Sequence, residues 1–418
     1  MKHGKTLLFF VAGIILLSID ACSNPFLQKN GNGGRNIGPG SGQADDPFLV
    51  RTVDDLRHVG NPELDTKYAD WGLDMHYKQT ADINLTSITN WTPIGYNTLN
   101  PNDPNQFKGS YDGNGHKILN LNISDENQSY QGLFSDIGAT GIVKNLNMVD
   151  INISVTSSCV GGVAGENYGT IQNCYISGSI IGHSGVGGVA GENYGILQNC
   201  YVTGDIKGGI EIGGVAGYNY TYFESIGIVQ NCYTNCTISG TNWYCGGIVG
   251  NNISIVQNCY AVGSVSGQAC VGGVTGNTGS LGGSYFGTMR NCVALNGLIG
   301  PNGAAAAGTP INGRITGSDN SVLGEIENNY AWGAMTIQDK NGVAKGPLDE
   351  GLNGIDGEPL SASDIKTKLT WTSSENWNTT DEGAEAWDFT NIWVWDNTGT
   401  NMPRLKNCPA LPWPAYLQ

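Results

Sequence analysis

Through the middle of the chain, apolar and polar positions alternate in short runs. Every few residues Gly or Asn interrupts them, and no window keeps a helical period. The runs also repeat. Gly161-Gly162-Val163-Ala164-Gly165-Glu166-Asn167-Tyr168-Gly169-Thr170-Ile171-Gln172-Asn173-Cys174-Tyr175-Ile176 returns from Gly187 to Val202, and again from Gly213, Gly246 and Gly272. Cys174, Cys200, Cys232, Cys259 and Cys292 close successive copies 26 to 33 residues apart. A period of that size marks one supersecondary unit used many times. Such a unit holds two or three short strands and cannot close a core alone. Stacked edge to edge at about 4.8 Å per coil, the units enclose one interior. The pattern predicts an all-β chain folded as a right-handed parallel β-helix, or β-solenoid, with a cap at each end.

The alignment extends beyond the copies that carry Cys. Ile118-Leu121-Ile123, Val143-Leu146-Met148 and Ile326-Asn329-Ala331 fit the slots of Ile171-Cys174-Ile176, which gives about eight coils. Leu stands in the Cys slot of the first two, so that slot points inward. The ladder of Cys174, Cys200, Cys232, Cys259 and Cys292 is then small apolar core filling. In-register neighbours are too far apart for comfortable bridges, and a straight file of thiols does not suit tetrahedral zinc. Cys159, Cys236, Cys245, Cys270 and Cys408 lie outside the ladder and are the disulfide candidates, with their pairing open.

Asn precedes the ladder slot in each coil: Asn120, Asn145, Asn173, Asn199, Asn231, Asn258, Asn291 and Asn328. Stacked amides there would satisfy a bend in the backbone. The residue after the slot is Tyr175, Tyr201, Tyr233, Tyr260 and Tyr330, with Val293 breaking the file. If Cys points in, these rings point out. They either stack on one another or grip a sugar or protein, so Tyr175, Tyr201, Tyr233 and Tyr260 are candidate ligand-binding residues.

Solenoid ends need covering. Thr52-Val53-Asp54-Asp55-Leu56 reads as a capping box opening a short helix before the repeats, and Ser361-Ala362-Ser363-Asp364-Ile365 as another after them. Trp371, Trp377, Trp387, Trp393 and Trp395 gather near the C-terminus as material for a cap. Residues 47–106 are therefore assigned to an N-terminal cap, 107–346 to the solenoid and 347–418 to an aromatic-rich C-terminal cap.

The N-terminus adds an export signal. Lys2, His3 and Lys5 precede an apolar run from Leu7 to Ile19, too short to span a bilayer comfortably. Ile19-Asp20-Ala21-Cys22 resembles a bacterial lipobox, with Asp20 departing from the usual small residue. The resemblance implies a signal peptide over 1–22 and lipidation at Cys22, which would anchor the protein to a membrane. Residues 23–46, rich in Gly, Asn, Ser and Pro, read as a flexible tether.

Composition narrows the partners. The 418 residues include 63 Gly, only 13% charged residues, and a formal charge of −16. That balance argues against nucleic acid and anionic lipid surfaces, which need a basic footprint. Asp349, Glu350, Asp356, Glu358, Asp381, Glu382 and Glu385 raise the question of calcium, but their spacing matches no ion-binding loop.

The consensus resembles the GLUG repeat of bacterial cell-surface and secreted proteins, with Val163, Val189, Val215, Ile248 and Val274 in place of its Leu. Companion segments are Asp82-Ile83-Asn84-Leu85, Trp91-Thr92-Pro93-Ile94-Gly95, Phe107 to His116, Gly132-Leu133-Phe134 and Trp393 to Leu405. The resemblance implies a surface role, often presumed adhesive, with no shared reaction and no cofactor or metal. Some relatives are metallopeptidases of the immunoglobulin A1 protease type with a His-Glu-x-x-His motif. None of His3, His58, His76, His116 or His183 is followed by Glu, so that zinc site is absent.

Three functions follow as expectations. The first is a non-catalytic envelope lipoprotein on the outer membrane, presenting a rigid rod to a glycan or to a host or matrix protein. The second is a polysaccharide lyase or glycoside hydrolase, for which Glu166 and Glu192, about 5 Å apart on adjacent coils, are the suggestive pair. The third is a structural envelope component. Asp112 and His116 also pass for an acid–base pair, though Asp-Gly and Asn-Gly turn chemistry accounts for them.

Overall fold

The computed structural model describes residues 40–61, 66–96, 105–124, 128–279, 286–301, 312–317, 324–338, 343–345, 350–373, 377 and 387–418. The signal peptide, Cys22 and the tether up to residue 39 lie outside them.

One coil shows the construction. Thr170–Gln172 is a strand of the first sheet, and the chain then turns at Asn173 into Tyr175–Ile181 of the second. It turns again into Ser184–Gly187 of a third sheet, passes Gly188 and Val189, and enters Ala190–Asn193 of a fourth. Ile196–Gln198 then returns to the first sheet beside Thr170–Gln172. Each sheet grows by parallel pairing of coil on coil, with Ile171 against Leu197, Tyr175 against Tyr201 and Glu166 against Glu192. The fold is a parallel β-solenoid.

Its interior is one continuous apolar column. Ile171, Cys174, Ile176, Val163, Ala164 and their equivalents in neighbouring coils are all essentially inaccessible. Two close approaches explain why the repeat keeps its glycines. A Cβ on Gly187 would lie 2.1 Å from the Ala190 carbonyl oxygen, and one on Gly191 would lie 2.4 Å from the Val160 nitrogen. Neither backbone can retreat, so any side chain there breaks a corner.

The first sheet has ten strands, starting with Phe48–Val50 and His76–Gln79. Coiling therefore begins inside the segment expected to be only a cap. The early coils escape the alignment because they lack Asn after the first-sheet strand. The first aligned coil is also out of place: Ile118 pairs with Met148, in the slot of Ile176, while Tyr111 fills the slot of Ile171. The tether also ends sooner than expected. Ser41 and Asp46 close a turn, and Gly42 accepts a hydrogen bond from the His76 amide, so residues 40–46 are part of the folded body. Thr52 and Ser361 each cap a short helix, with Asp55 and Asp364 answering from the third position.

The C-terminal segment does more than cover an end. Glu358–Leu360 adds to the second sheet beside Tyr330–Trp332. Beyond it the chain lies along the outer face of that sheet, where Trp371, Trp377, Trp387 and Trp393 form a second apolar cluster with Tyr201, Tyr233, Tyr260 and Tyr330. Arg314, 1% exposed, plugs the last turns. It donates to Glu350 Oε1 at 2.6 Å and to the Asp356 carbonyl oxygen at 3.1 Å. The Glu350 carboxylate thus holds a buried guanidinium, and Asp356 Oδ1 accepts from the Arg314 backbone amide at 2.8 Å. Asp349, Asp381, Glu382 and Glu385 lie outside the described residues.

Candidate functional site

The residues singled out from sequence sort into three groups. The core-facing file comes first. Cys174, Cys200, Cys232, Cys259 and Cys292 are buried free thiols, each donating to the carbonyl oxygen two residues before it at 3.1–3.3 Å. Cys159, Cys236, Cys245, Cys270 and Cys408 are also free, so the disulfide expectation finds no bridge among the described residues.

Seven of the Asn file, Asn145 to Asn328, form the first corner. Asn120 does not, because Lys117–Leu119 pairs with Asn147–Val149 and so puts it beside Asp150 in the second sheet. All eight residues adopt the left-handed conformation, at φ between 51° and 58°, which Asn tolerates better than most side chains. Asn173 Nδ2 donates to Asn145 Oδ1 at 3.2 Å and Asn199 Nδ2 to Asn173 Oδ1 at 3.1 Å. Gln172, Gln198, Gln230 and Gln257 run beside them as a second amide ladder, ended by the Arg290 guanidinium.

The tyrosine file is where structure corrects expectation. Tyr175, Tyr201, Tyr233 and Tyr260 stack with ring centroids 5.2, 4.1 and 5.0 Å apart. They point away from the column, but Tyr201, Tyr233 and Tyr260 are buried under the C-terminal segment, and Tyr260 donates its hydroxyl to the Pro403 carbonyl oxygen. The same chain that supplies the file supplies its partner. Only Tyr175 stays half-exposed, beside a cavity of about 320 Å³ at the edge of that segment.

Asp112 and His116 do not meet as an acid–base pair. Asp112 Oδ1 accepts from the Asn114 amide and from Asn145 Nδ2, whereas His116 faces Asp82 at 3.4 Å. Both serve turns.

The accessible chemistry lies on the fourth sheet. Its outward file runs Asp136, Glu166, Glu192, Tyr218, Asn251 and Asn277, in register from coil to coil. Just after it come Tyr168 and Tyr194, stacked at 4.7 Å and 7°, then Tyr220 at 5.6 Å from Tyr194. The longer coil after Cys200 spends its extra residues on a hairpin, Ala216–Tyr222 against Ser225–Ile226, which raises Tyr222 and Phe223 above the face at 51% and 76% exposure. The other wall is a second left-handed corner file, two residues ahead of each Gly-Gly and of Gly132-Leu133: Tyr130, Cys159, Gly185, Glu211, Tyr244 and Cys270. Its backbone rests on the glycines of the fourth sheet, as Gly191 against Val160 shows. The two files make a trough.

Carboxylates crowd one end of it. The Cys159 thiol donates to Glu192 Oε1 at 3.2 Å, and the Tyr194 hydroxyl to Glu192 Oε2 at 2.7 Å. Glu166 has no hydrogen-bond partner among the described residues. Burial, with Glu192 and Asp136 beside it, pushes its carboxyl up to about 8. Burial likewise lifts Asp136 to about 6, against the help of Gln106 and Lys108, and raises the Cys159 thiol. Glu211 is also raised by burial, and accepts from Asn251 Nδ2 at 3.1 Å and from Ser184 at 3.4 Å.

Comparison with known proteins places the repeat. The family model described as "The GLUG motif" matches residues 156–181 and 182–207. The chain carries GLUG repeats. Over 145 residues it is 34% identical to halomucin of Haloquadratum walsbyi, covering 34% of this chain and 2% of that protein. Over 141 residues it is 34% identical to a "Putative Gly-rich membrane protein" of Evansella cellulosilytica, covering 32% and 15%. The chain therefore spans only a small part of these relatives. Among solved structures, a Bacteroides ovatus chain described as a "putative immunoglobulin A1 protease" superposes with a TM-score of 0.54, at 19% identity over 90% of this chain and 96% of that one. That likeness shows the fold alone. The names of the relatives agree with an association with the cell envelope.

Sequence reasoning read Glu166 and Glu192 as a spaced pair but missed Cys159 as their neighbour and Tyr168, Tyr194 and Tyr220 as the accessible aromatics. A signal was present: Tyr recurs after the conserved Glu-Asn at 168 and 194, and the position two before Gly-Gly has its own file.

Proposed function

We propose that this GLUG solenoid is a non-catalytic envelope protein, lipid-anchored at Cys22, whose fourth-sheet trough binds a glycan. The observation that carries the reading is the row of half-exposed tyrosines, Tyr168, Tyr194 and Tyr220, beside the carboxylates of Glu166 and Glu192. Ring faces pack against the apolar faces of sugars, and carboxylates accept from their hydroxyls. The acidic trough favours neutral or amino sugars over uronates, since like charges would repel. Glycan-array screening with calorimetric follow-up tests it. Tyr194→Ala is expected to weaken a bound oligosaccharide at least about tenfold, a loss of about 1.4 kcal/mol. Equal binding by wild type and by a Tyr168→Ala, Tyr194→Ala double variant would exclude this face. Protease treatment of intact cells, with a periplasmic marker as control, tests the location, and full protection would remove an adhesive role.

One observation favours a second reading. A carboxyl held near 8 and a second carboxylate close by are the parts a retaining glycosidase uses as acid and nucleophile. In that reading Glu166 is the acid and Glu192 the nucleophile. Release of reducing ends from a polysaccharide that is lost in Glu166→Gln would support it over the binding reading.

A further inference from the structure

We propose that Cys159, Glu166 and Glu192 form a binding site for a zinc-class divalent cation at the acidic end of the trough. One ligand atom from each lies within 4.8 Å of the other two. Around tetrahedral zinc, ligands at about 2.0–2.3 Å from the metal stand roughly 3.5 Å from each other. Cys159 Sγ and Glu192 Oε1, at 3.2 Å, already have that separation. Glu166, with no hydrogen-bond partner among the described residues to give up, supplies the third ligand atom.

A second, independent observation points the same way. Asp136 is 3% exposed and sits one coil before Glu166 on the same face. Its Oδ1 is buried with no hydrogen-bond partner among the described residues. A buried carboxylate oxygen left unpaired costs free energy that a cation in the trough would recover. Directly or through a water, Asp136 supplies the fourth position.

The donor set selects the metal class. Thiolate is a soft ligand and disfavours calcium and magnesium, whereas one sulfur with carboxylate oxygens suits zinc and its analogue cobalt. Cys159 is 8% exposed, and its sulfur already lies against Glu192. Binding replaces the S–H bond by a metal–sulfur bond and the O–H bond of any protonated ligating carboxyl by a metal–oxygen bond, and those protons go to solvent. The site lies next to the stacked Tyr168 and Tyr194, so a hydroxyl-bearing ligand would reach the ion by displacing the water at the fourth position. The inference does not depend on the glycan reading.

The experiment uses the purified chain, stripped with chelator and titrated with cobalt(II) and zinc(II). The expected result is one equivalent bound with release of at least one proton and, for cobalt, a thiolate-to-metal charge-transfer band in the near ultraviolet. Cys159→Ser should abolish the band, and Glu166→Gln should weaken binding about tenfold or more while circular dichroism stays unchanged. No saturable binding to the wild-type chain would overturn the proposal. So would a band that survives in Cys159→Ser, since it would belong to another thiol. If Cys159→Ser fails to fold, Glu166→Gln with undiminished affinity overturns it as well.

Discussion

Asn193→Ala tests the interior design most directly. Within the column, Asn167, Asn193, Asn219 and Asn252 form a fully buried amide ladder that closes the corner from the fourth sheet to the first. Asn193 Nδ2 donates to Asn219 Oδ1 at 2.8 Å and to the Gly195 carbonyl oxygen at 3.0 Å, and its Oδ1 accepts from Asn167 Nδ2 at 2.8 Å. Truncation removes these three bonds and the longer ones from the Gly195 amide to Oδ1 at 3.3 Å and from Nδ2 to the Ile228 carbonyl oxygen at 3.5 Å. It strands an amide oxygen on Asn219 and the N–H of Gly195, whereas the Gly195 carbonyl keeps the Ile228 amide. At about 1 kcal/mol net for each bond, with unsatisfied buried groups at the upper end, the loss should be about 3 kcal/mol. Asn173→Gly is the control. It sits on the half-buried outer file, and Gly accepts its φ of 55° without strain, so it should cost less than about 1 kcal/mol. Urea unfolding followed by circular dichroism gives both values, and hydrogen exchange should show the Asn193→Ala loss concentrated in the coils either side, as expected of a stack coupled to nearest neighbours. A loss below about 1 kcal/mol, or one no larger than that of Asn173→Gly, would refute the view that the ladder is closed to water and stabilises the corner.

Other outcomes follow from the same geometry. Glu166 is raised to about 8 when folded, against about 4.3 in an unfolded chain, so the native state holds the extra proton. Metal-free protein should therefore lose stability as pH rises between those values, and Glu166→Gln should flatten that fall in pH-dependent urea melts. Trp393→Ala removes a ring packed 5.8 and 5.7 Å from Tyr233 and Tyr260. Limited proteolysis should then cut the segment after residue 361 while the coils resist, at a local cost of about 3–5 kcal/mol. Cys174, Cys200, Cys232, Cys259 and Cys292 should stay unreactive to a thiol reagent until denaturant is added, because all are at most 1% exposed. Gly191→Ala should fail to accumulate as folded protein, since its methyl would meet the Val160 nitrogen at 2.4 Å.

How far a repeat can be read from sequence depends on whether a position answers to its own coil or to something brought from elsewhere. The stacked parallel coils, the inward Cys slot and the Asn corner are all set by local backbone and by the identical unit next door, so periodicity alone determines them. Gly187, Asn173 and Ile171 mean the same thing in every copy because every copy meets the same neighbours. The fate of the tyrosine file depended instead on a segment more than a hundred residues away. Nothing in Tyr201, Tyr233 or Tyr260 announces that Trp371, Trp387 and Trp393 will lie against them; the apolar face and its cover meet only once the chain turns back. The trough is of the same kind. Glu166 and Glu192 face each other through simple stacking and were legible as a pair. Cys159 joins them only because a left-handed corner leans over the glycines of the next coil, and Asp136 because a coil without the motif continues the register. Stacking is written in the repeat, whereas burial and chemistry at its surface are decided by the segments that fold across it.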